Sequence, residues 1–214
     1  MIAFPEKIGV PIVNHLTGHR YDLVPAADLE PDTATLARIV AICNEPEIYR
    51  WLFREPLEGR PYLEEKARAW IEWAKAGWHG KTHFVFAVLD ANKAVAAACD
   101  IKSNDPSSEI GYWASREHRG VMTNAVAAMC TIAAEAGFIE LFARTKKGNV
   151  QSQAVLERVG FDRRRAVATH IGDIRRLSPR MVQVSDYDWF IRTLAPKEMS
   201  PTPEPTTAID RGLS

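Results

Sequence analysis

Apolar side chains recur along this chain with two different spacings, and the switch between them marks its elements. In TATLARIVAICNEPEIYRWLF, Leu36, Ile39, Val40 and Cys43 fall at helical intervals. In PYLEEKARAWIEWAKAG, Leu63, Ala67, Trp70, Ile71 and Ala74 do the same, with Gly77 as a stop. These spacings predict two amphipathic helices after an early strand around Tyr21 to Val24. THFVFAVLD, AVAAACDIK and EIGYWAS are short β-prone runs separated by the turn formers DANK and SNDPSS, so they predict an antiparallel three-strand meander. TNAVAAMCTIAAEAG then puts Val126, Met129, Cys130 and Ala133 on one helical face and stops at Gly137. IELFARTKK reads as a strand and NVQSQAVLERVGF as another helix. RAVATHI and MVQVSDYDWFI add two more β-prone stretches. The expectation is an α/β (α+β) fold with about seven strands in a mixed, mostly antiparallel sheet and about four helices.

The 214 residues suffice for one well-filled core, which predicts a single domain over 1–195. Residues 196–214 hold four prolines and almost no large apolar side chains, so they predict a disordered tail. Lys plus Arg and Asp plus Glu both number 27, leaving no basic surplus for a phosphate backbone and arguing against nucleic-acid binding. Cys43, Cys99 and Cys130 are odd in number and embedded in apolar runs, as reduced core thiols are. MIAFPEKIGV lacks the apolar run of a signal peptide, and no stretch approaches the ~18–20 apolar residues of a membrane span. These features predict a soluble, cytoplasmic protein without a membrane partner.

The stretch REHRGVMTNAV runs from a basic turn into a helix. A helix that opens after a glycine at a strand end offers free N–H groups and the positive end of its dipole to an anion, and Arg119 adds a charged donor. An ordinary strand-to-helix turn reads the same way. His15 with His19, and His79 with His83, lack the further ligands a metal needs, so no metal is expected. No Gly-x-Ser-x-Gly elbow or Walker-type loop occurs.

EIGYWASREHRGVMTNAV and NVQSQAVLERVGF, in this order and about 30 residues apart, resemble the two signature segments of the GNAT acyltransferases, and especially of the ribosomal-protein N-terminal acetyltransferases. The resemblance runs from about Tyr21 to Ile191. It departs in one place: the loop is about two residues short, with Arg119-Gly120 where the family has Arg-Gly-x-Gly, so the second small residue is missing. It implies acyl-CoA held by Trp113, Ala114, Arg119, Gly120, Val121, Met122, Thr123, Asn149 and Ser152, in a gap between two splayed strands. An N–H around Tyr112 to Ala114 would stabilise the oxyanion. Glu109 is the implied general base, and Ser152 the candidate acid; each also reads blandly, as a solvated strand-start carboxylate and a helix-cap residue. Asn149 suits a helix N-cap, Trp113 can be a core aromatic, and His118 reads as an exposed loop residue. The tyrosine acid of some relatives has no counterpart in the second motif. Trp70, Trp73 and Trp78, with Glu64, Glu65 and Glu72, would border the acceptor.

The implied activity is transfer of an acetyl group from acetyl-CoA, as cosubstrate, to a primary amine of a protein N-terminus or a small molecule. Attack would be direct, since no cysteine stands near the motifs. A protein α-amine, with a pKa of ~7.7–8.0 against ~10.4 for lysine, is the easier acceptor. The alternative is a non-catalytic GNAT-fold protein that binds a ligand or partner; a homodimer is left open.

Overall fold

The computed structural model describes residues 2–164 and 186–194. Its eight strands form one sheet in the order β1-β2-β3-β4-β5-β6-β8-β7. They are β1 Val10–Val13, β2 Arg20–Pro25, β3 Phe84–Leu89, β4 Val95–Ile101, β5 Ser107–Ala114, β6 Glu140–Lys146, β7 Asp162–Arg164 and β8 Tyr187–Thr193. Every neighbouring pair is antiparallel except β5 with β6. The meander β3-β4-β5 and the β5-helix-β6-helix unit lie where the sequence predicts them. β1 was not predicted: it has four residues and contains Pro11, which an edge strand tolerates because one of its edges needs no ladder. RAVATHI, the start of MVQVSDYDWFI and the 196–214 tail lie outside the described residues.

The helices are α1 Thr33–Cys43, α2 Pro46–Ile48, α3 Glu64–Gly80, α4 Val121–Ala136 and α5 Val150–Arg158. The first predicted helix breaks after Cys43, because Pro46 cannot continue it and instead opens α2 at its first position. A π-helical segment, Tyr49–Phe53, follows. Gly77 does not stop α3, which runs to Gly80; a glycine costs a helix only ~1 kcal/mol, and His83 fills the space its side chain would take.

Two apolar layers sandwich the sheet. α4 and α5 pack through Val126, Met129, Cys130 and Leu156 onto Phe86, Cys99, Ile101, Leu141 and Phe190. On the other face α1 and α3 pack through Leu36, Ile39, Ala67, Ile71 and Ala74 onto Val85, Ala87 and Val95.

Candidate active site between β5 and β6

β5 pairs with β6 only at Ser107, Ser108 and Glu109, whereas it pairs with β4 as far as Ala114. Beyond Glu109 the two strands part, leaving one edge of β5 open. The register says which groups face the opening. Lys102 N–H donates to Glu109 C=O (2.9 Å) and Ser115 N–H to Ala96 C=O (3.0 Å), so the odd residues 109 to 115 spend their backbone groups on β4. Ile110 stands at the last bridge to β6, Glu109 with Phe142, and beyond it Tyr112 and Ala114 point theirs into the opening, where an extended amide-bearing ligand can pair as an added strand. Of the residues expected to hold the cofactor, Ala114 offers its backbone here. Trp113 does not: its amide belongs to the ladder with Ala98, and its ring meets Trp70 of α3 at 5.8 Å on the opposite face.

At the top of the opening β5 passes through a 3-10 turn, Arg116–His118, into α4. Gly120 is the N-cap of α4 at φ +98°, and no side chain caps the helix, so the N–H groups of Val121, Met122 and Thr123 are free for an anion. Arg119 is exposed beside them. A side chain at Gly120 would be strained by its φ and would also strike Asn14 Oδ1 and Leu16 from the β1–β2 turn. Asn14, 1% exposed, clamps the loop from behind: its Nδ2 donates to Arg119 C=O at 2.9 Å while its Oδ1 accepts from Leu16 N–H at 2.9 Å. His15 Nδ1 donates to Gly120 C=O at 2.6 Å. The single glycine thus answers both to a left-handed backbone and to close contact with Asn14, a residue that nothing in the sequence pattern singled out.

Two buried hydroxyls without a partner fit an oxygen-rich ligand here. Thr123 Oγ1 sits in the first turn of α4, and Thr145 Oγ1 is carried by β6 past its last pairing with β5. The first turn of α5 closes this side. Asn149 is its N-cap, accepting from Ser152 N–H at 3.3 Å. Ser152 Oγ lies 2.8 Å from the Tyr112 hydroxyl, which donates to Ser152 C=O at 2.9 Å. With the phenol hydrogen on that carbonyl, the serine hydroxyl donates to the phenol oxygen. The second motif lacks a tyrosine, yet β5 brings one to its serine; the spacing in sequence hides this, because Tyr112 and Ser152 lie on different elements.

The α1–α3 face carries the titratable groups. Glu109 is 9% exposed and held by Lys102 at 2.9 Å and by a two-pronged Arg144, Nη2 to Oε2 at 2.9 Å and Nε to Oε1 at 3.2 Å. Burial opposes its charge, but Lys102 and Arg144 prevail and keep its pKa below the ordinary 4.5. A carboxylate so engaged is a weak proton acceptor. Asp100 is the opposite case. It stands across from Gly111 in the β4–β5 ladder, and its Oδ1 occupies the space a Gly111 side chain would fill, so it leans over β5 toward the open edge. Burial raises its pKa above the ordinary 3.8, against the pull of Lys102. Sequence reasoning missed Asp100; an aspartate inside an alanine-rich strand, facing a glycine across the turn, was the available signal.

His118 is half-buried rather than a free loop residue. Arg38 donates to its Nε2 at 3.1 Å, so Nδ1 carries the hydrogen and donates to Tyr21 at 2.9 Å. Burial and then Arg38 lower its pKa, and the ring stays neutral. The thiols are also neutral: burial pushes Cys43 up to about 12 and Cys130 up to about 11, and Cys99 upward as well, so none is a ready nucleophile. Among the described residues no three His, Cys, Asp or Glu side chains converge as metal ligands. Of the acceptor wall, Trp78 is a core residue among Phe4, Phe84 and Phe86, Trp73 stacks on His83, and Glu64 and Glu72 pair with Arg68 and Lys75 on their own helix. Trp70, set against Trp113, and Glu65 remain of it.

The fold recurs among solved structures. The ribosomal L7/L12 alpha-N-protein acetyltransferase RimL in complex with coenzyme A aligns with a TM-score of 0.63 and 14% identity, over 86% of this chain and 98% of its own. Mycobacterium smegmatis RimJ in complex with CoA-disulfide gives 0.62 and 15%, over 86% of each. Spermidine N-acetyltransferase from Vibrio cholerae, in complex with CoA and spermine, gives 0.58 and 15%, over 81% of this chain and 95% of its own. No curated protein sequence matches the chain significantly. The family model of the acetyltransferase (GNAT) domain matches residues 26–162, which include β5, α4 and α5. The chain belongs to the GNAT acetyltransferase family.

Proposed function

We propose that this acetyltransferase moves an acetyl group from acetyl-CoA to a primary amine by direct attack, with Asp100 in place of Glu109 as the proton acceptor. One observation carries the reading: the open edge of β5 past its last bridge to β6, where Tyr112 and Ala114 have no strand partner, runs straight to the uncapped N-terminus of α4. A pantetheine arm and a pyrophosphate require that pair of features, side by side. Acetyl-CoA supplies the acetyl group as an activated thioester. N–H groups of Tyr112 and Ala114 are placed to stabilise negative charge on the carbonyl oxygen. Asp100 takes the proton the amine loses, its raised pKa bringing it nearer the working range of a base. Ser152, backed by Tyr112, is the proton donor for the departing thiolate. Arg119, Gly120, Val121, Met122 and Thr123 hold the pyrophosphate, and Asn149 keeps α5 in register beside it.

No metal enters this scheme. Zero net charge and unpaired thiols support a cytoplasmic enzyme that does not bind nucleic acid. Calorimetry with coenzyme A, followed by acetyl-CoA consumption across a panel of peptide N-termini and small amines, tests the reading. Binding together with turnover on at least one amine is the expected result. Binding with no turnover on any would favour the non-catalytic alternative, and no binding at millimolar coenzyme A would remove the cofactor assignment and leave only that alternative. Sedimentation of the same sample reads whether two copies pair.

A further inference from the structure

The α1–α3 side bears a pocket of about 390 Å³ lined by Arg50, Arg54, Glu55, Glu58, Gly59 and Lys146. Its cations converge from two elements, the π-helical segment with the residue after it, and the end of β6. Lys146 pairs with Glu55 at 2.7 Å, and Glu58 with Arg60 at 3.1 Å. Neither Arg50 nor Arg54 forms an ion pair with a described residue. The pocket therefore presents two uncommitted guanidinium groups, the side chain best suited to grip a carboxylate or phosphate in two places.

The backbone at Arg54 and the orientation of the Arg50 side chain are fixed. Arg54 N–H donates to Tyr49 C=O at 2.8 Å, and Arg54 C=O accepts from Gly59 N–H at 2.8 Å. The Arg50 guanidinium lies 4.6 Å over the Trp51 ring, and the far edge of that ring faces Gly148 in the loop before α5. A π-helical turn is rare and tends to occur where a functional geometry is needed. Glu45, just before α2, accepts from Ser115 Oγ at 2.6 Å and from Arg116 N–H at 2.8 Å, which ties this segment to the end of β5. Lys146 lies on β6 beyond its last pair with β5, at a height comparable to Tyr112 and Ala114 on the other side of the opening. The pocket thus borders the reaction site from the face opposite α4 and α5, the side from which the acceptor must come if the cofactor lies against those helices.

We propose that this pocket binds an anionic group, a carboxylate or a phosphate, on the body of the acceptor, so that the amine acetylated belongs to an acidic molecule. The inference rests on the amine-acetylation reading for the word acceptor, but its test does not need turnover. Three peptide amides with the same free N-terminus would be titrated into the protein saturated with coenzyme A: one with glutamate at positions two and three, one with phosphoserine there, and one with glutamine. Binding of either acidic peptide about 10- to 100-fold tighter than the glutamine peptide is expected, the range of charge-assisted hydrogen bonds. The preference should shrink as salt rises. The glutamate and phosphoserine arms separate the two anions. Arg50 and Arg54 are exposed, so Arg50→Gln with Arg54→Gln should fold normally and lose the preference, while the lysine pair at the same positions should keep part of it. Equal binding of the three peptides overturns the proposal, as does a preference that survives the glutamine variants. A loss of coenzyme A affinity in those variants would assign the pocket to the cofactor and overturn it too. Acetyl transfer to the same peptides is read separately: anion-selective binding without turnover sinks the catalytic reading and leaves this one standing.

Discussion

The two faces of the sheet meet the opening between β5 and β6 with different chemistry. On the α4–α5 face the groups named are neutral and several have hydrogen-bonding capacity to spare: free N–H groups at the start of α4 and the orphaned hydroxyls of Thr123 and Thr145, beside the mutually bonded hydroxyls of Tyr112 and Ser152. On the α1–α3 face the groups are charged, and most are committed to one another, as in Lys102–Glu109–Arg144 and Arg38–Glu117. Beside the opening Asp100 stands apart from these pairs, a carboxylate whose burial works against its charge. The difference teaches that a carboxylate's position in the active site says little about its role; what matters is whether neighbours have already satisfied it.

Substituting the two carboxylates sharpens that contrast most. Asp100→Asn should lower turnover by ~10²- to 10⁴-fold, the usual worth of a general base, while leaving coenzyme A affinity intact and stability equal or higher at neutral pH. Glu109→Gln should do the reverse. It leaves Arg144, 23% exposed, without its counter-charge, and removal of one partner from a buried pair costs ~3 kcal/mol or more. Turnover of the fraction that folds should stay within about tenfold of normal, well short of a lost base. The pH dependences also oppose one another. Native Asp100 binds its proton more tightly than the unfolded chain does, so between its ordinary 3.8 and its raised folded value stability falls as pH rises, and is regained on acidification. Native Glu109 releases its proton more readily; it contributes stability above 4.5 that is lost as pH falls through its lowered value. Denaturant titrations of the two variants between pH 3 and 7, with steady-state rates, check both. A Glu109→Gln protein that is stable but inactive, beside an active Asp100→Asn, would exchange the two roles.

How much of this was legible follows the same division. The α4–α5 face was read from sequence because its features are local: a glycine before a helix, an asparagine three residues before a serine, an apolar stripe ending in Gly137. The α1–α3 face depends on cross-strand neighbours. Glu109 reads as a free carboxylate until the parallel pairing with β6 brings Arg144 beside it, and Asp100 is unremarkable until the ladder sets it over Gly111. Asn14 lies 105 residues from the loop it clamps, and the alternation of Val10 to Val13 was too short and too broken by Pro11 to announce β1. Trp113 was placed at the cofactor because its neighbours are; the strand period turns it to the other face.

Gly120 couples the faces' supports, and its substitution should rank next. A non-glycine residue at φ +98° costs ~1–3 kcal/mol in backbone strain, and the added Cβ must also displace Asn14 and Leu16. Gly120→Ala is therefore expected to lower stability and to weaken coenzyme A binding together, by moving the first turn of α4. Asn14→Ala separates the causes: it leaves Gly120 intact but removes the clamp on Arg119, which should cost ~1–3 kcal/mol through the stranded backbone groups. If Asn14→Ala binds coenzyme A as the parent does, the clamp supports the fold alone, and the cofactor contribution belongs to the glycine itself.

The smallest effect is expected at Tyr112. Phenylalanine keeps the ring in the α4–α5 core and removes only the hydroxyl, which makes one hydrogen bond to Ser152 C=O and one with Ser152 Oγ. An ordinary bond of this kind contributes ~0.5–1.5 kcal/mol, so a fall in Tm of roughly 2–4 °C is the structural part for a chain of this size. The chemical part depends on what Ser152 does. Burial raises the Tyr112 pKa, so the phenol stays protonated throughout the working range and serves as a fixed neutral partner, not as a base. With the phenol gone, the serine hydroxyl loses the oxygen it donates to and can turn either way in the opening. Its proton then reaches the departing thiolate less often, and kcat should drop by less than about tenfold with coenzyme A affinity unchanged, whereas Ser152→Ala, which removes the donor, should drop it by ~10²-fold or more. A leaving thiol of lower pKa should shrink both losses, because a better leaving group needs less protonation, and no purely structural role of Tyr112 would respond to that change. Equal losses with the poor and the good leaving group would confine Tyr112 and Ser152 to holding α5 against β5.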